Sequence, residues 1–154
     1  MAVSNGVDFQ HLRALHGLPA ALAPETVDVD DHSIEYRVAG PGYSQHGRIT
    51  GTNCFAQHLT FGGNETFMLF AGCSVAAGKV MGYYVIGVRN RLPPPEQRAR
   101  LAALKQLVDK LNAEDAAVLD TIRFRKGVLV ASDRHLARYL KYVEEFPRAE
   151  PLEA

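Results

Sequence analysis

The sequence has few cysteines, no long apolar run and no excess of charge of either sign. Its two cysteines, Cys54 and Cys73, show neither Cys-x-x-Cys nor Cys-x-His spacing. These 154 residues therefore cannot hold an iron–sulfur cluster by themselves. So few cysteines, so far apart, are typical of a reduced protein with buried thiols, and we expect a cytoplasmic location.

The longest apolar run, from Phe67 to Ala77, contains Gly72 and Ser74. It falls short of the roughly 18 residues that a membrane span requires. The 17 basic and 17 acidic side chains balance, and Lys and Arg form no cluster that indicates a nucleic-acid surface. We recognise no signal peptide. We therefore expect neither a membrane nor nucleic acid as a partner.

What is present fits a single domain over residues 1–154, because this length can bury a sizeable core. Apolar–polar alternation and helical periodicity predict a short N-terminal helix, strands at 26–29, 33–38, 47–61, 66–77 and 80–88, and helices from 96 to about 125 and from 135 to about 145. An antiparallel sheet must cover its apolar face, and the long helix can do so. We predict an α+β fold in which a curved sheet of about five strands grips that helix, with a cavity between them.

The first helix carries the most informative side chains. Ser4 or Asn5 can cap it, and Asp8 in its opening turn suits the helix dipole. Gly17 and Pro19 predict its end.

His11 and His16 in this segment are candidate metal ligands. On a straight helix five residues turn by about 500°, so the two imidazoles would point about 140° apart. The helix must therefore end or loosen before Gly17 if both are to bind one metal. Asp8 shares a face with His11 and can accept a proton from the ring nitrogen that is not used for binding. The alternative is a surface helix with a capping Asp8 and solvent-facing histidines.

A redox iron site with two histidines also needs a carboxylate ligand. The long helix offers four: Asp109, Glu114, Asp115 and Asp120. Asp115 follows Leu111 by four residues and precedes Val118 by three, so it lies near the inward side, whereas Asp120 is rotated off it. Asp115 is therefore a candidate third ligand, and the other three carboxylates stay as alternatives.

The spacing Asn5-x-x-Asp8-x-x-His11-x4-His16 resembles the motif that opens the catalytic domain of Rieske non-haem iron oxygenases, the α subunits of ring-hydroxylating oxygenases. The stretch from Glu114 to Val118 resembles the one that carries the third ligand of that family. Residues 128–134 and the last helix resemble the family's C-terminus. The resemblance therefore extends along the whole chain.

This resemblance implies the helix-grip (START/Bet v1-like) fold and mononuclear Fe(2+) bound by His11, His16 and Asp115. It also implies that Asp8 joins the iron site electronically to a Rieske cluster in a neighbouring subunit, and that Asn5 helps to shape the site. Dioxygen and a small hydrophobic substrate, aromatic or alicyclic, would be the reactants. Hydroxylation, dihydroxylation, demethylation and desaturation all use such a site.

The family's Rieske domain, with its Cys-x-His and Cys-x-x-His pairs, should precede Asn5 and is not in this sequence. We therefore expect an oxidoreductase, a mono- or dioxygenase, that is not self-sufficient. Its electrons would come from a [2Fe–2S] Rieske or ferredoxin donor in a partner chain or a missing domain. A trimer-like homo-oligomer is a further expectation. The alternative is a non-catalytic helix-grip domain that binds a small hydrophobic ligand or a partner subunit.

Other side chains have less specific interpretations. Four arginines could bind a substrate carboxylate: Arg37, Arg48, Arg89 and Arg91. Four apolar residues could line a substrate pocket, although most of them are expected in the core: Phe55, Phe67, Leu69 and Tyr83. Among the remaining histidines, we expect ordinary hydrogen bonds on strand faces for His46 and His58, and solvent exposure for His32 and His135.

Overall fold

A computed structural model gives the architecture of residues 2–17, 24, 26–77, 79–89, 92–119, 121, 127 and 129–147. The six strands are β1 (Asp28–Val29), β2 (Ser33–Gly40), β3 (Tyr43–Thr50), β4 (Cys54–Phe61), β5 (Asn64–Ala76) and β6 (Lys79–Val88). The helices are α1 (Phe9–Ala14), α2 (Pro94–Leu119) and α3 (Arg134–Glu145), and short 3-10 helices span Ala2–Gly6 and Ala131–Asp133. The predicted α+β class is confirmed.

The strands form one antiparallel sheet in the order in which they occur along the chain. Because side chains alternate between the two faces of a strand, the register decides which residues meet on one face. Phe55, Phe70 and Tyr84 stand side by side on β4, β5 and β6. This apolar row is part of the sheet face that lies towards α2.

The predicted single strand over residues 47–61 is wrong. The chain turns at residues 51–53, where Gly51 has a φ of 60°, and the two halves pair with each other as β3 and β4. The sheet consequently has six strands among the described residues, not about five. The polar segment from Tyr43 to His46 belongs to β3, since its backbone pairs with β2.

The long helix α2 begins at Pro94, whose fixed φ suits the first turn of a helix. It was expected to begin at Glu96 and to reach about residue 125. The described helix ends at Leu119, and residues 120 and 122–126, Asp120 among them, lie outside the described residues. None of the described helices has the length and apolar character needed to cross a bilayer.

The buried core lies where the N-terminal segment packs between α3 and the sheet. Val7 and Phe9 are buried with Tyr139 and Tyr142 of α3. The Tyr142 hydroxyl donates a hydrogen bond of 3.0 Å to the carbonyl of Gly51 in the β3–β4 turn. The start of the chain, and with it the histidine pair, is thereby held against the sheet.

Candidate metal centre

Asp8 is the N-cap of α1, not a residue of its opening turn as expected. Residues 2–6 form a separate 3-10 helix, so α1 starts only at Phe9. The Oδ1 atom of Asp8 accepts a hydrogen bond of 3.0 Å from the backbone amide of His11. This hydrogen bond stabilises the start of the helix. The expected hydrogen bond between Asp8 and the His11 ring is not found among the contacts of the described residues.

The two histidines meet because α1 is short. The helix ends at Ala14, and Gly17 adopts a positive φ of 60° two residues after the Leu15 cap. His16 is thus outside the helix, and its ring lies edge-on to that of His11 with the centroids 4.7 Å apart. The two Nε2 atoms are 3.0 Å apart. The helix ends before Gly17, as a site shared by both histidines requires. Pro19, which was also expected to end it, lies outside the described residues.

Asp115 of α2 meets this pair from the other end of the chain. Its Oδ1 atom lies 2.8 Å from His11 Nε2 and 3.0 Å from His16 Nε2. Its Oδ2 atom accepts a hydrogen bond of 3.0 Å from the Asn5 side-chain amide. Asn5 therefore orients the carboxylate, which leaves Oδ1 turned towards the imidazoles.

Glu114 orients His16 from behind, a role that the sequence did not reveal. Its Oε2 atom lies 2.7 Å from His16 Nδ1. The hydrogen bond with His16 is the main reason why the pKa of Glu114 is below its usual value, and the charge of Lys110 adds to the effect. The ionised carboxylate can only accept, so Nδ1 of His16 donates, and Nε2 is the ring nitrogen left for a metal.

The arrangement of these donor atoms fits a divalent metal. His11, His16 and Asp115 each offer one atom, and the edges of the triangle are 3.0, 2.8 and 3.0 Å. Ligands about 2.1 Å from one ion and at right angles to each other are separated by about 3.0 Å. His16 Nε2 also lies 3.0 Å from the Asp115 carboxylate, a contact that either a proton on Nε2 or a metal ion between the two atoms makes favourable.

A cavity of about 290 Å³ adjoins two of the three donors and separates the sheet from α2. His16 and Asp115 line it together with Asn5. Its other walls are mainly apolar and include Phe55, Leu59, Met68, Phe70, Leu104, Leu107, Val108 and Leu111. Burial, followed by the negative charge of Asp115, raises the pKa of Tyr84 in this wall. The cavity can therefore hold a small apolar molecule directly beside the donors.

A second cavity, of about 220 Å³, reaches the donors from another direction. Asp8, His11 and Asp115 line it, and Leu136 and Leu140 of α3 form part of its wall. Asp8 does not line the larger cavity, so it lies on a different side of the donors from that cavity.

The four apolar candidates separate into two groups. Phe55 and Phe67 line the larger cavity. Leu69 and Tyr83 belong to neither pocket nor core, since their exposed fractions are 37% and 60%. Both faces of β5 and β6 carry apolar residues, so the sequence did not indicate which face is buried.

The remaining histidines lie away from the donors. His46 and His58 face each other across β3 and β4, and each has a carboxylate within 3.2 Å, from Glu35 and Glu65 respectively. His32 is exposed, as expected. The expectation for His135 is wrong, because it is buried and its Nε2 atom lies 2.8 Å from the carbonyl of Pro24. Burial is the main cause of the lowered pKa of His135.

The arginines considered for a substrate carboxylate are engaged elsewhere. Arg37 and Arg48 approach the carboxylate of Glu35, and Arg89 pairs with Glu65 at 2.5 Å. None of these three lines the larger cavity. Arg91 lies outside the described residues.

No protein-family model and no curated protein match this sequence. Solved structures do match it. NdmA from Pseudomonas putida CBB5, a QL mutant solved with caffeine, has a TM-score of 0.71 and 17% identity. The same mutant with theobromine has a TM-score of 0.68 and 16% identity. NdmB from that organism has a TM-score of 0.63 and 19% identity.

The match with NdmA covers 93% of this chain but only 45% of NdmA. The match with NdmB covers 91% of this chain and 44% of NdmB. The chain therefore spans less than half of the length of the solved proteins that it matches. NdmA and NdmB are Rieske oxygenases, which is the family that the Asn5–His16 motif indicated. In its fold, this chain is similar to a part of the Rieske oxygenases.

Proposed function

We propose that this chain is the mononuclear iron domain of a Rieske-type oxygenase, with all 154 residues forming one domain of the helix-grip type. The observation that carries the proposal is the triangle of His11, His16 and Asp115 beside an apolar cavity. The similarity of fold to NdmA and NdmB supports it. The two walls of the cavity, sheet and α2, support the helix-grip description.

In this proposal the three donors hold Fe(2+), which supplies the redox chemistry with dioxygen. Asn5 and Glu114 act through the ligands, since they hold Asp115 Oδ2 and His16 Nδ1. The apolar cavity binds a hydrophobic aromatic or alicyclic substrate and excludes water from it. The cavity would thus hold the substrate next to the metal position.

The electrons come from a Rieske [2Fe–2S] cluster that these 154 residues do not contain, in a partner chain or another domain. Asp8 is the residue through which we propose that they reach the site. It lines the smaller cavity together with His11 and Asp115, separate from the substrate cavity. A homo-oligomer that brings a partner's cluster to this side, as in a trimer, is part of the same proposal.

Anaerobic titration with Fe(2+), followed by metal analysis after desalting, tests the iron assignment. We expect about one equivalent in the unaltered chain and less than half in the His11→Ala/His16→Ala variant. The matched control is His46→Ala/His58→Ala, which also removes two histidines with carboxylate neighbours, and it should retain the iron. Equal binding by both double variants would refute the assignment.

A second candidate function is a non-catalytic domain that binds a small hydrophobic ligand or a partner subunit. The cavity favours it, because its apolar walls exist without any metal. This function requires that ligand affinity survive in the His11→Ala/His16→Ala variant and that iron have no effect on it. A loss of ligand binding in that variant, with folding intact by circular dichroism, excludes it.

A further inference from the structure

Three polar side chains form a connected group in the wall of the mainly apolar cavity. Tyr36 and Gln45 are buried, with exposed fractions of 2% and 6%. The Tyr43 hydroxyl donates to Gln45 Oε1, and Gln45 Nε2 donates to the Tyr36 hydroxyl at 2.8 Å. Burial raises the pKa of both phenols, so their hydroxyl protons are retained at neutral pH.

This group has more hydrogen-bond donors than it uses. Each phenol has one O–H and the amide has two N–H, and the two internal bonds consume two of these donors. Exchange of the amide oxygen and nitrogen of Gln45 would leave the same surplus of one phenol O–H and one amide N–H. Within the described part of the chain, no other hydrogen bond uses either of them. Buried donors of this kind require an acceptor.

The charges around the cavity restrict what the acceptor can be. Among the described residues that line it, none is Lys or Arg. Arg37, Arg48 and Arg89 lie elsewhere, next to Glu35 and Glu65. The negative charge of Asp115 is also part of the wall. An anionic ligand would lose its hydration without gaining a counter-charge, so a neutral acceptor is favoured.

We propose that the substrate is a neutral, mainly apolar ring compound with a carbonyl oxygen, and that the unused phenol O–H and the unused amide N–H of the Tyr36–Gln45–Tyr43 group donate to this oxygen. The inference rests on the proposed function only in taking the cavity as the substrate site. Two donors on one oxygen fix the orientation of the ring skeleton against the apolar walls. The group therefore selects which carbon atom faces His11, His16 and Asp115.

The test is calorimetric titration of the metal-free chain with three probes of similar size: acetophenone, ethylbenzene and benzoate. We expect acetophenone to bind about tenfold more tightly than ethylbenzene, because two neutral hydrogen bonds contribute about that factor. Benzoate should bind more weakly than either probe. In Tyr36→Phe/Tyr43→Phe/Gln45→Leu, which removes every donor of the group, the preference for acetophenone over ethylbenzene should disappear while ethylbenzene affinity stays within about twofold.

Gln57→Leu is the matched control, since Gln57 also lines the cavity but is outside the Tyr36–Gln45–Tyr43 group. It should keep the preference. If this triple variant is unfolded by circular dichroism, Tyr36→Phe is measured instead, and with one donor of the group removed it should lower the preference several-fold. Equal affinity for the two neutral probes, an unchanged preference in the folded variant, or no binding of any probe would overturn the proposal. The measurement needs no iron, so a failure of the iron assignment would leave its result unaffected.

Discussion

At the scale of single residues, the histidine pair depends on the carboxylates that surround it. Glu114 accepts from His16 Nδ1, and Asp115 approaches both Nε2 atoms. The bond to Glu114 sets the tautomer of His16 and increases the basicity of the nitrogen that faces the site. Neighbouring residues on α2 thus have different tasks, one beside the metal position and one behind its ligand.

Replacement of Glu114 should weaken metal binding although the three donors remain. In Glu114→Ala, His16 loses the acceptor that holds its ring, and we expect the dissociation constant for Fe(2+) to rise by about 10- to 100-fold. Competition with a chelator under anaerobic conditions measures this. Glu145→Ala, which removes an exposed carboxylate at the end of α3, should leave the constant unchanged. Equal effects of the two substitutions would show that Glu114 contributes only general negative charge.

The sequence was informative for some of these residues and not for others. Asp115 was predicted because its spacing from Leu111 and Val118 places it near the inward side of a helix and because the stretch around it resembles the one that carries the family's third ligand. Glu114 is rotated by about 100° from Asp115, so whether it touches anything depends on what the fold brings beside α2. The bond between Glu114 and a residue 98 positions earlier is a tertiary contact, which local periodicity does not encode.

At the scale of elements, β3 determines the shape of the polar end of the cavity. Gly47 pairs with Tyr36 across β2 and β3, and the Tyr36 ring lies against it. A Cβ atom at Gly47 would be 2.2 Å from Tyr36 Cζ. The absence of a side chain at Gly47 therefore creates the space that the buried phenol occupies.

Gly47→Ala should destabilise the protein because the Tyr36 ring has to move. We expect the free energy of unfolding in urea to fall by about 1–3 kcal/mol, as for other overpacked cores. Gly87→Ala in β6 is the matched control, since the nearest atom to a Cβ there is 3.9 Å away. Its effect should be within about 0.5–1 kcal/mol, and it can be stabilising. Similar losses at both positions would mean that the Tyr36 contact is unimportant.

The same strand shows why the sequence predicted the sheet only in part. The strands at 66–77 and 80–88 have long apolar runs and were predicted nearly to their ends. In β3, residues 43–46 were not assigned to a strand, because this polar segment shows no apolar alternation. Two of its side chains, Tyr43 and Gln45, form the hydrogen-bonded end of the cavity. The turn at Gly51 was missed because the Thr and aromatic residues around it favour extended structure.

At the scale of the whole molecule, the three donors connect distant parts of the chain. His11 and His16 lie near the start, and Asp115 follows His16 by 99 residues, with all six strands in between. An ion bound by the folded state alone stabilises that state in proportion to the logarithm of its concentration.

Fe(2+) should therefore raise the melting temperature. At a free concentration about 100 times the dissociation constant, we expect about 2.7 kcal/mol of stabilisation and a shift of about 5–10 °C. Anaerobic differential scanning calorimetry measures the shift, and a chelator should reverse it. His11→Ala/His16→Ala should show no shift, whereas His46→Ala/His58→Ala should behave like the unaltered chain. A shift in both variants would indicate binding elsewhere.

The position of Asp115 late in the chain also affects when a metal can be captured during synthesis. Chains begin to fold from their N-terminus as they emerge from the ribosome. The two imidazoles appear with the first helix, and alone they favour copper and zinc, which bind nitrogen ligands more tightly than iron does. The carboxylate that completes an iron site arrives only after the entire sheet has been made. Under the proposed assignment, loading with the correct metal is coupled to completion of the fold.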